Sequence, residues 1–169
     1  MADADKLRAA GEHAAYATRI TPPPPFEVLT AQQAADLDAA TAQIVPSDET
    51  PGAHEARVVY FIDKSLATWQ KDQRPAVESG LAELAKRAAA ASPGVESFSA
   101  LNGEQQQAVI ASLEKDKHQF FFLLRGATIV GMFANPEYGG NFEKAGWKML
   151  GFDDRFSWAP PFGWYDANA

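Results

Sequence analysis

The sequence predicts an all-α protein: a compact helical bundle with an extended N-terminal arm and an irregular aromatic C-terminal tail. Three observations lead to this prediction. Apolar residues recur at helical spacing, N-cap patterns precede several of these segments, and no stretch alternates apolar and polar residues as a strand would. We divide the 169 residues into an arm (1–25), a helical domain (26–152) and a tail (153–169).

The arm combines a helix former with a helix breaker. Residues 3–18 are rich in alanine, which favours a short helix. The prolines at 22–25 then form an extended spacer that no helix can cross, because proline lacks an N–H and fixes φ. Everything before Phe26 is therefore expected outside the core, either in solvent or across a partner.

The first two helices of the domain are marked by a cap and by prolines. Thr30 and Gln33 form a capping-box pattern, and Pro46 ends the helix that follows. Pro51-Gly52 is expected to open the second helix. Its apolar positions share one broad face: Val58, Phe61, Ile62, Leu66 and Trp69.

The next two helices have similar signals. One follows Arg74-Pro75, with its apolar face at Val77, Leu81, Leu84 and Ala88, and ends before Pro93. The other starts at Asn102, where Gln105 completes a second capping box.

His118–Phe133 is the most apolar helix and is expected at the centre of the bundle. The apolar stretch 120–134 is shorter than the ~20 residues that span a bilayer and carries Arg125, so we interpret it as a core helix. Gly126 and Gly131 weaken it locally and are expected to allow close approach of a neighbouring helix.

The last 35 residues differ from the rest. Residues 135–141 have the composition of a turn, because proline fixes φ while glycine and asparagine tolerate positive φ. A short helical turn at 142–150 follows, and then an irregular segment rich in aromatic residues. Tryptophan and tyrosine are enriched at interface hot spots, so this tail is expected to cover a partner.

Composition excludes several functions. Acidic residues outnumber basic ones by 22 to 15, giving a net charge of −7 and a pI near 4.9, which argues against nucleic-acid binding. The chain has no cysteine, so disulfides, thiolate metal sites and thiol nucleophiles are absent.

No catalytic constellation is evident. His13, His54 and His118 are scattered without metal-ligand spacing, and His54 and Glu55 are adjacent, so on a helix they point about 100° apart. Asp153-Asp154 are either paired carboxylates for acid–base work or a solvated turn. We therefore predict no catalytic, cofactor-binding or metal-binding residue in this chain.

The N-terminus lacks the features of an export signal. Residues 1–20 have no basic start followed by an apolar region and a small-residue cleavage site, and no twin-arginine pair. As written, the chain is expected in the cytoplasm, or in the periplasm if it is exported with a partner or if a signal was removed.

Two separated segments carry a family resemblance. Residues 45–56 read VPSDETPGAHEA and lead into VVYFIDKSL at 58–66. Downstream, FFFLLR at 120–125 precedes NPEYGGN at 135–141, Gly146-Trp147 and LGF at 150–152. In this order and combination, the segments resemble the gluconate 2-dehydrogenase subunit 3 family over roughly 29–152.

The resemblance implies a non-catalytic small subunit. Members of that family accompany a large flavoprotein of the glucose–methanol–choline (GMC) oxidoreductase type, which uses FAD to oxidise a sugar, sugar acid or glycoside. The partner often passes electrons to a cytochrome c subunit that carries haem c. Many relatives begin with a twin-arginine signal, which this sequence lacks. We therefore expect the chain to bind and stabilise such a flavoprotein, with no cofactor of its own.

The candidate partner-binding residues lie in the last third of the chain: Tyr138, Gly139, Gly140, Asn141, Trp147, Phe156, Trp158, Phe162, Trp164 and Tyr165. For those at 138–141, an internal role in ending a helix is an equally good explanation, and for Trp147 core packing is another. Two alternatives stay open for the whole protein. The subunit also shapes the substrate entrance of its partner, or it is a stand-alone enzyme that uses His54, Asp153 or Asp154.

Overall fold

The structure, a computed structural model, describes residues 2–152, without the side chains of Tyr138 and of part of the first helix. The tail at 153–169 lies outside this range. The described residues form seven α-helices and no strand, which confirms the all-α prediction. The helices are α1 (Ala2–Arg19), α2 (Ala31–Ala42), α3 (Val58–Ala67), α4 (Arg74–Ala91), α5 (Gly103–Lys115), α6 (Gln119–Phe133) and α7 (Ala145–Met149).

The N-terminal segment contains the short helix that its alanine content indicates, but this helix contacts its own chain. α1 lies against α3. His13 Nε2 is 2.7 Å from Glu27 Oε1, and Arg57 Nη1 donates to the carbonyl oxygen of Ile20 at 2.5 Å. We expected this segment in solvent or across a partner. In the structure, polar contacts instead hold α1 and the residues just after it against the helical domain of the same chain.

Both predicted capping boxes are present. At the start of α2, Gln33 N donates to Thr30 Oγ1 at 3.2 Å, and Thr30 N donates to Gln33 Oε1 at 2.9 Å. At the start of α5, Asn102 and Gln105 exchange the same two bonds at 2.9 and 3.2 Å. These side chains satisfy backbone donors that a helix N-terminus leaves without partners.

The second predicted helix begins later than expected. Instead of starting at Pro51-Gly52, α3 begins at Val58, because residues 53–57 form turns. Gly52 N donates to Glu55 Oε2 at 2.8 Å, and Ala53 N donates to the Val45 carbonyl oxygen at 2.9 Å. A Cβ at Gly52 would lie 2.6 Å from the backbone of residues 45–47, so glycine permits this close approach.

Helix α3 carries two buried charged residues that the sequence analysis did not single out. Asp63 is fully buried and accepts backbone N–H bonds from residues 27, 28 and 29 at 2.9, 2.9 and 3.0 Å. Lys64 is 2% exposed, and its Nζ lies 2.7 Å from Glu27 Oε1. Buried charges are stable only when they are paired and hydrogen-bonded, so this cluster anchors the chain after the proline spacer onto α3.

Helix α6 exists as predicted, but it is not buried all round. Its inner face packs in the core through Phe120, Phe121, Leu124, Thr128 and Met132. Phe122 and Val130, on its outer face, are 54% and 48% exposed. Gly131 does allow close approach, since a Cβ there would lie 2.9 Å from the Phe61 ring, whereas Gly126 has no such neighbour within 4 Å. The prediction of a core helix is therefore confirmed for the inner face of α6, whereas the expectation for Gly126 was wrong.

No helix among residues 2–152 combines the length and the apolar character needed to cross a bilayer.

The Glu27 contacts make stability depend on pH. Hydrogen bonds from Lys64 and then from His13 hold the pKa of Glu27 below its usual 4.5. A carboxylate whose folded-state pKa is lowered stabilises the fold above its unfolded pKa, and this contribution is lost as pH falls through the folded pKa. The stability difference between wild type and Glu27→Gln should therefore shrink from about pH 5 to about pH 3. Urea unfolding at each pH measures it.

Glu78→Gln, an exposed position on α4, serves as the control for this series. A Glu27→Gln difference that stays constant over the same pH range would contradict the prediction.

Candidate functional site

The downstream motif forms a tight turn at the end of α6. Residues 136–138 make one turn of 3-10 helix, and Asn135 Oδ1 accepts from Glu137 N at 3.0 Å. The next three residues have positive φ: 93° at Gly139, 71° at Gly140 and 44° at Asn141. Glycine and asparagine tolerate positive φ. The predicted turn is therefore confirmed, and it directs the chain back along α6.

Asn141 connects this turn to the end of α6. It is fully buried. Its backbone N donates to the Gly131 carbonyl oxygen at 2.6 Å, and its Nδ2 donates to the Ala134 carbonyl oxygen at 3.0 Å. Its Oδ1 accepts from Gly146 N at 2.9 Å. One side chain therefore binds both the end of α6 and the start of α7.

Two further motif residues complete the cap. Trp147 Nε1 donates to the Phe133 carbonyl oxygen at 2.9 Å. A Cβ at Gly146 would lie 2.0 Å from the Met132 carbonyl oxygen, so α7 can approach α6 this closely only with glycine there. The last carbonyls of a helix have no partner within the helix, and residues 141–147 supply donors for them.

The upstream motif meets the same place. Phe142 N donates to the Ala56 carbonyl oxygen at 3.2 Å. The guanidinium of Arg57 lies 3.5 Å from the centre of the Phe142 ring, within cation–π range. We call this meeting point of residues 51–57, 131–134 and 139–147 the motif junction. The fold thus brings together the two segments that carry the family resemblance.

The structure gives most of the described candidate residues an internal role. Gly139, Gly140 and Asn141 are buried in the turn, which agrees with the internal alternative. Trp147 is half-buried, and the Phe152 ring lies edge-on 5.1 Å from it. Contact of these residues with a partner stays a prediction. The side chain of Tyr138 is not described, and five candidates lie outside the described residues: Phe156, Trp158, Phe162, Trp164 and Tyr165.

A groove of about 790 Å³ runs over the motif junction, and we call it the junction groove. His54 and Asp38 face each other there, with Nδ1 and Oδ2 2.6 Å apart. Phe26 stacks on Tyr60 with ring centres 4.6 Å apart. Glu55 points instead to Ser47, whose hydroxyl donates to it at 2.5 Å. His54 and Glu55 therefore do not converge, as predicted.

A larger groove of about 1160 Å³ lies between α1, α3 and α6, and we call it the helix groove. Its walls are mainly apolar or aromatic, including Phe61, Leu66, Trp69, Val77, Phe122 and Val130. Soluble proteins rarely leave a large contiguous apolar patch exposed unless it binds something. Because Phe122 and Val130 are about half-exposed there, the helix groove is a candidate binding surface.

The titratable groups of residues 2–152 do not form an evident reaction centre. The three histidines lie apart: His13 pairs with Glu27, His54 pairs with Asp38, and His118 caps α6. Burial raises the pKa of Tyr60, so the hydroxyl of this junction-groove residue keeps its proton at neutral pH. Within this range no three histidine or acidic side chains are grouped closely enough to hold a metal ion. Asp153 and Asp154 fall outside it.

A glycine substitution at the motif junction, compared with one at an open position of α6, tests the packing there. Gly146→Ala should lower the free energy of unfolding by about 3 kcal/mol, because its Cβ would collide with the backbone of Met132. Gly126→Ala should raise it by up to about 1 kcal/mol, because this helix position is open and alanine favours a helix. Urea denaturation measures both, and changes of the same sign would contradict the described packing.

Comparison with known proteins gives one match. No curated protein and no solved structure shows significant similarity to this chain. The family profile described as gluconate 2-dehydrogenase subunit 3 matches residues 31–154 of the 169. This range contains both motif segments and the whole of the motif junction. The chain therefore belongs to the gluconate 2-dehydrogenase subunit 3 family and is an accessory subunit of a dehydrogenase complex.

Proposed function

We propose that this chain binds and stabilises an FAD-dependent oxidoreductase of the GMC type that acts on a sugar, sugar acid or glycoside. FAD belongs to that partner, and a third subunit with haem c receives electrons from it in complexes of this kind. Family membership supports the complex, and the resemblance in sequence supports the nature of the partner.

The helix groove is the single observation on which the binding role rests. Phe122 and Val130 are about half-exposed on α6, and Trp69 lies in the same groove. A fold that buries Phe120, Phe121 and Leu124 on one side of a helix has no internal use for large apolar residues on the other side. A partner that covers this face gains roughly 25 cal/mol for each Å² of apolar surface removed from water.

The aromatic lining also suggests what the partner presents. Interface cores are rich in aromatic and aliphatic residues, with polar groups at the rim. In the helix groove the charged residues Arg8, Glu12 and Glu137 accompany an apolar interior. We therefore expect an apolar segment of the flavoprotein to lie along α6 between α3 and α1.

Charged substitutions in the helix groove should weaken the complex without unfolding the subunit. Phe122→Glu and Val130→Glu place a carboxylate on surface that the partner would desolvate, which should lower affinity at least tenfold. Both positions are exposed in the free chain, so its thermal midpoint should change little. Co-expression with a GMC-type flavoprotein from the same organism, affinity capture and flavin absorbance measure the yield of complex.

Ala111→Glu, on an exposed position of α5 outside this groove, is the matched control and should leave the yield unchanged. If Phe122→Glu and Val130→Glu co-purify with the flavoprotein in full yield, the partner does not use the helix groove. If even the wild-type chain ignores the flavoprotein, the proposed partner is wrong.

A further inference from the structure

We propose that the C-terminal tail, residues 153–169, folds back and occupies the junction groove of its own chain. This inference is independent of the identity of the partner subunit. It assigns the aromatic tail a place on the free subunit, and it leaves the helix groove as the surface for the flavoprotein.

The first argument is where the described chain ends. Phe152 N donates to the Trp147 carbonyl oxygen at 2.8 Å, so the chain leaves α7 in a fixed position. Lys148, four residues earlier, lines the junction groove together with Ala145. Four extended residues span about 14 Å and seventeen span about 60 Å. The tail therefore starts beside the groove and is long enough to run through it.

The second argument is the chemistry of the groove walls. The stacked rings of Phe26 and Tyr60 and the side chains of Val59, Ala34 and Phe142 give the groove an apolar, aromatic lining. The tail supplies five aromatic side chains: Phe156, Trp158, Phe162, Trp164 and Tyr165. Aromatic pairs at offset or edge-to-face geometry contribute beyond the area that they bury, so the tail and this lining match in kind.

The third argument is charge. The tail opens with Asp153 and Asp154, and Lys148 lies in the last turn of α7, just before them. Arg57 also lines the junction groove, where its guanidinium already donates to the Ile20 carbonyl oxygen and lies over the Phe142 ring. The groove also contains carboxylates. Asp38 faces His54, and Glu55 accepts hydrogen bonds from Ser47 and Gly52.

Glu143 also lines the junction groove, and the tail carries one arginine, Arg155, beside Asp153 and Asp154.

The helix groove suits the tail less well. One wall of this groove is formed by α1 through Arg8, Glu12 and Tyr16, so the N-terminal segment of the chain already lies along it. Glu12 and Glu137 would face the acidic start of the tail there. Like charges at close range oppose binding. Since both grooves contain carboxylates and aromatic side chains, position decides between them: Lys148 places the junction groove beside the start of the tail.

Crosslinking in a chain without native cysteine tests this directly. Ala35 lines the junction groove and Ala127 lines the helix groove, so Ala159→Cys is combined with Ala35→Cys in one full-length variant and with Ala127→Cys in another. A short bismaleimide is added to dilute protein, and intact mass separates intramolecular from intermolecular products. We expect an intramolecular crosslink for the Ala35→Cys pair at least tenfold faster than for the Ala127→Cys pair. The reverse preference, equal rates or only intermolecular products would overturn the proposal.

Proteolysis gives a second readout without a label. Chymotrypsin cuts after the tail aromatics, and docking should protect them. Lys148→Glu should raise the cleavage rate about fivefold by opposing the acidic start of the tail. Lys115→Glu is the matched control, because it reverses the charge of a lysine that also lies in the last turn of a helix, α5. Equal rates in wild type and Lys148→Glu would overturn the proposal. Both readouts use the subunit alone, so failure to bind a flavoprotein affects neither.

Discussion

The end of α6 is the constraint on which the rest of this structure depends. A helix that ends in the protein interior leaves carbonyl groups that must find donors, since a buried group without a partner costs free energy. Here Asn141 and Trp147 supply those donors to residues 131, 133 and 134. Gly140 and Gly146 let the donor segment come close enough, because a Cβ at either would collide with the α6 backbone. The downstream family motif is therefore explained by one structural task.

A second set of contacts connects the N-terminal third to this site. Asp63 holds residues 27–29 against α3, and Arg57 binds both the end of α1 and the ring of Phe142. Two grooves are formed around this framework. One lies over the motif junction, beside the start of the tail, and the other exposes the outer face of α6. In our proposals, the tail of the same chain covers the first groove and the partner subunit covers the second.

Local patterns in the sequence predict local structure. Features that depend on contacts between distant segments could not be predicted from it. Both capping boxes were predictable because their partners lie three residues apart. Gly126 and Gly131 are indistinguishable in sequence, and only the position of Phe61 separates them. The start of α3 was predicted too early because residues 53–57 form turns, and the bond from Ala53 N to the distant Val45 carbonyl oxygen gives no local signal. Asp63 gave no local signal, because its partners lie 34–36 residues away.

Amide hydrogen exchange at the motif junction tests the central claim most directly. If the end of α6 is capped as described, the amides of Asn141 and Gly146 should exchange only through global unfolding. The amide of Gly103, in the exposed first turn of α5, should exchange much faster and calibrates the measurement. Exchange at Asn141 and Gly146 as fast as at Gly103 would mean that the turn opens on its own, and would contradict this account.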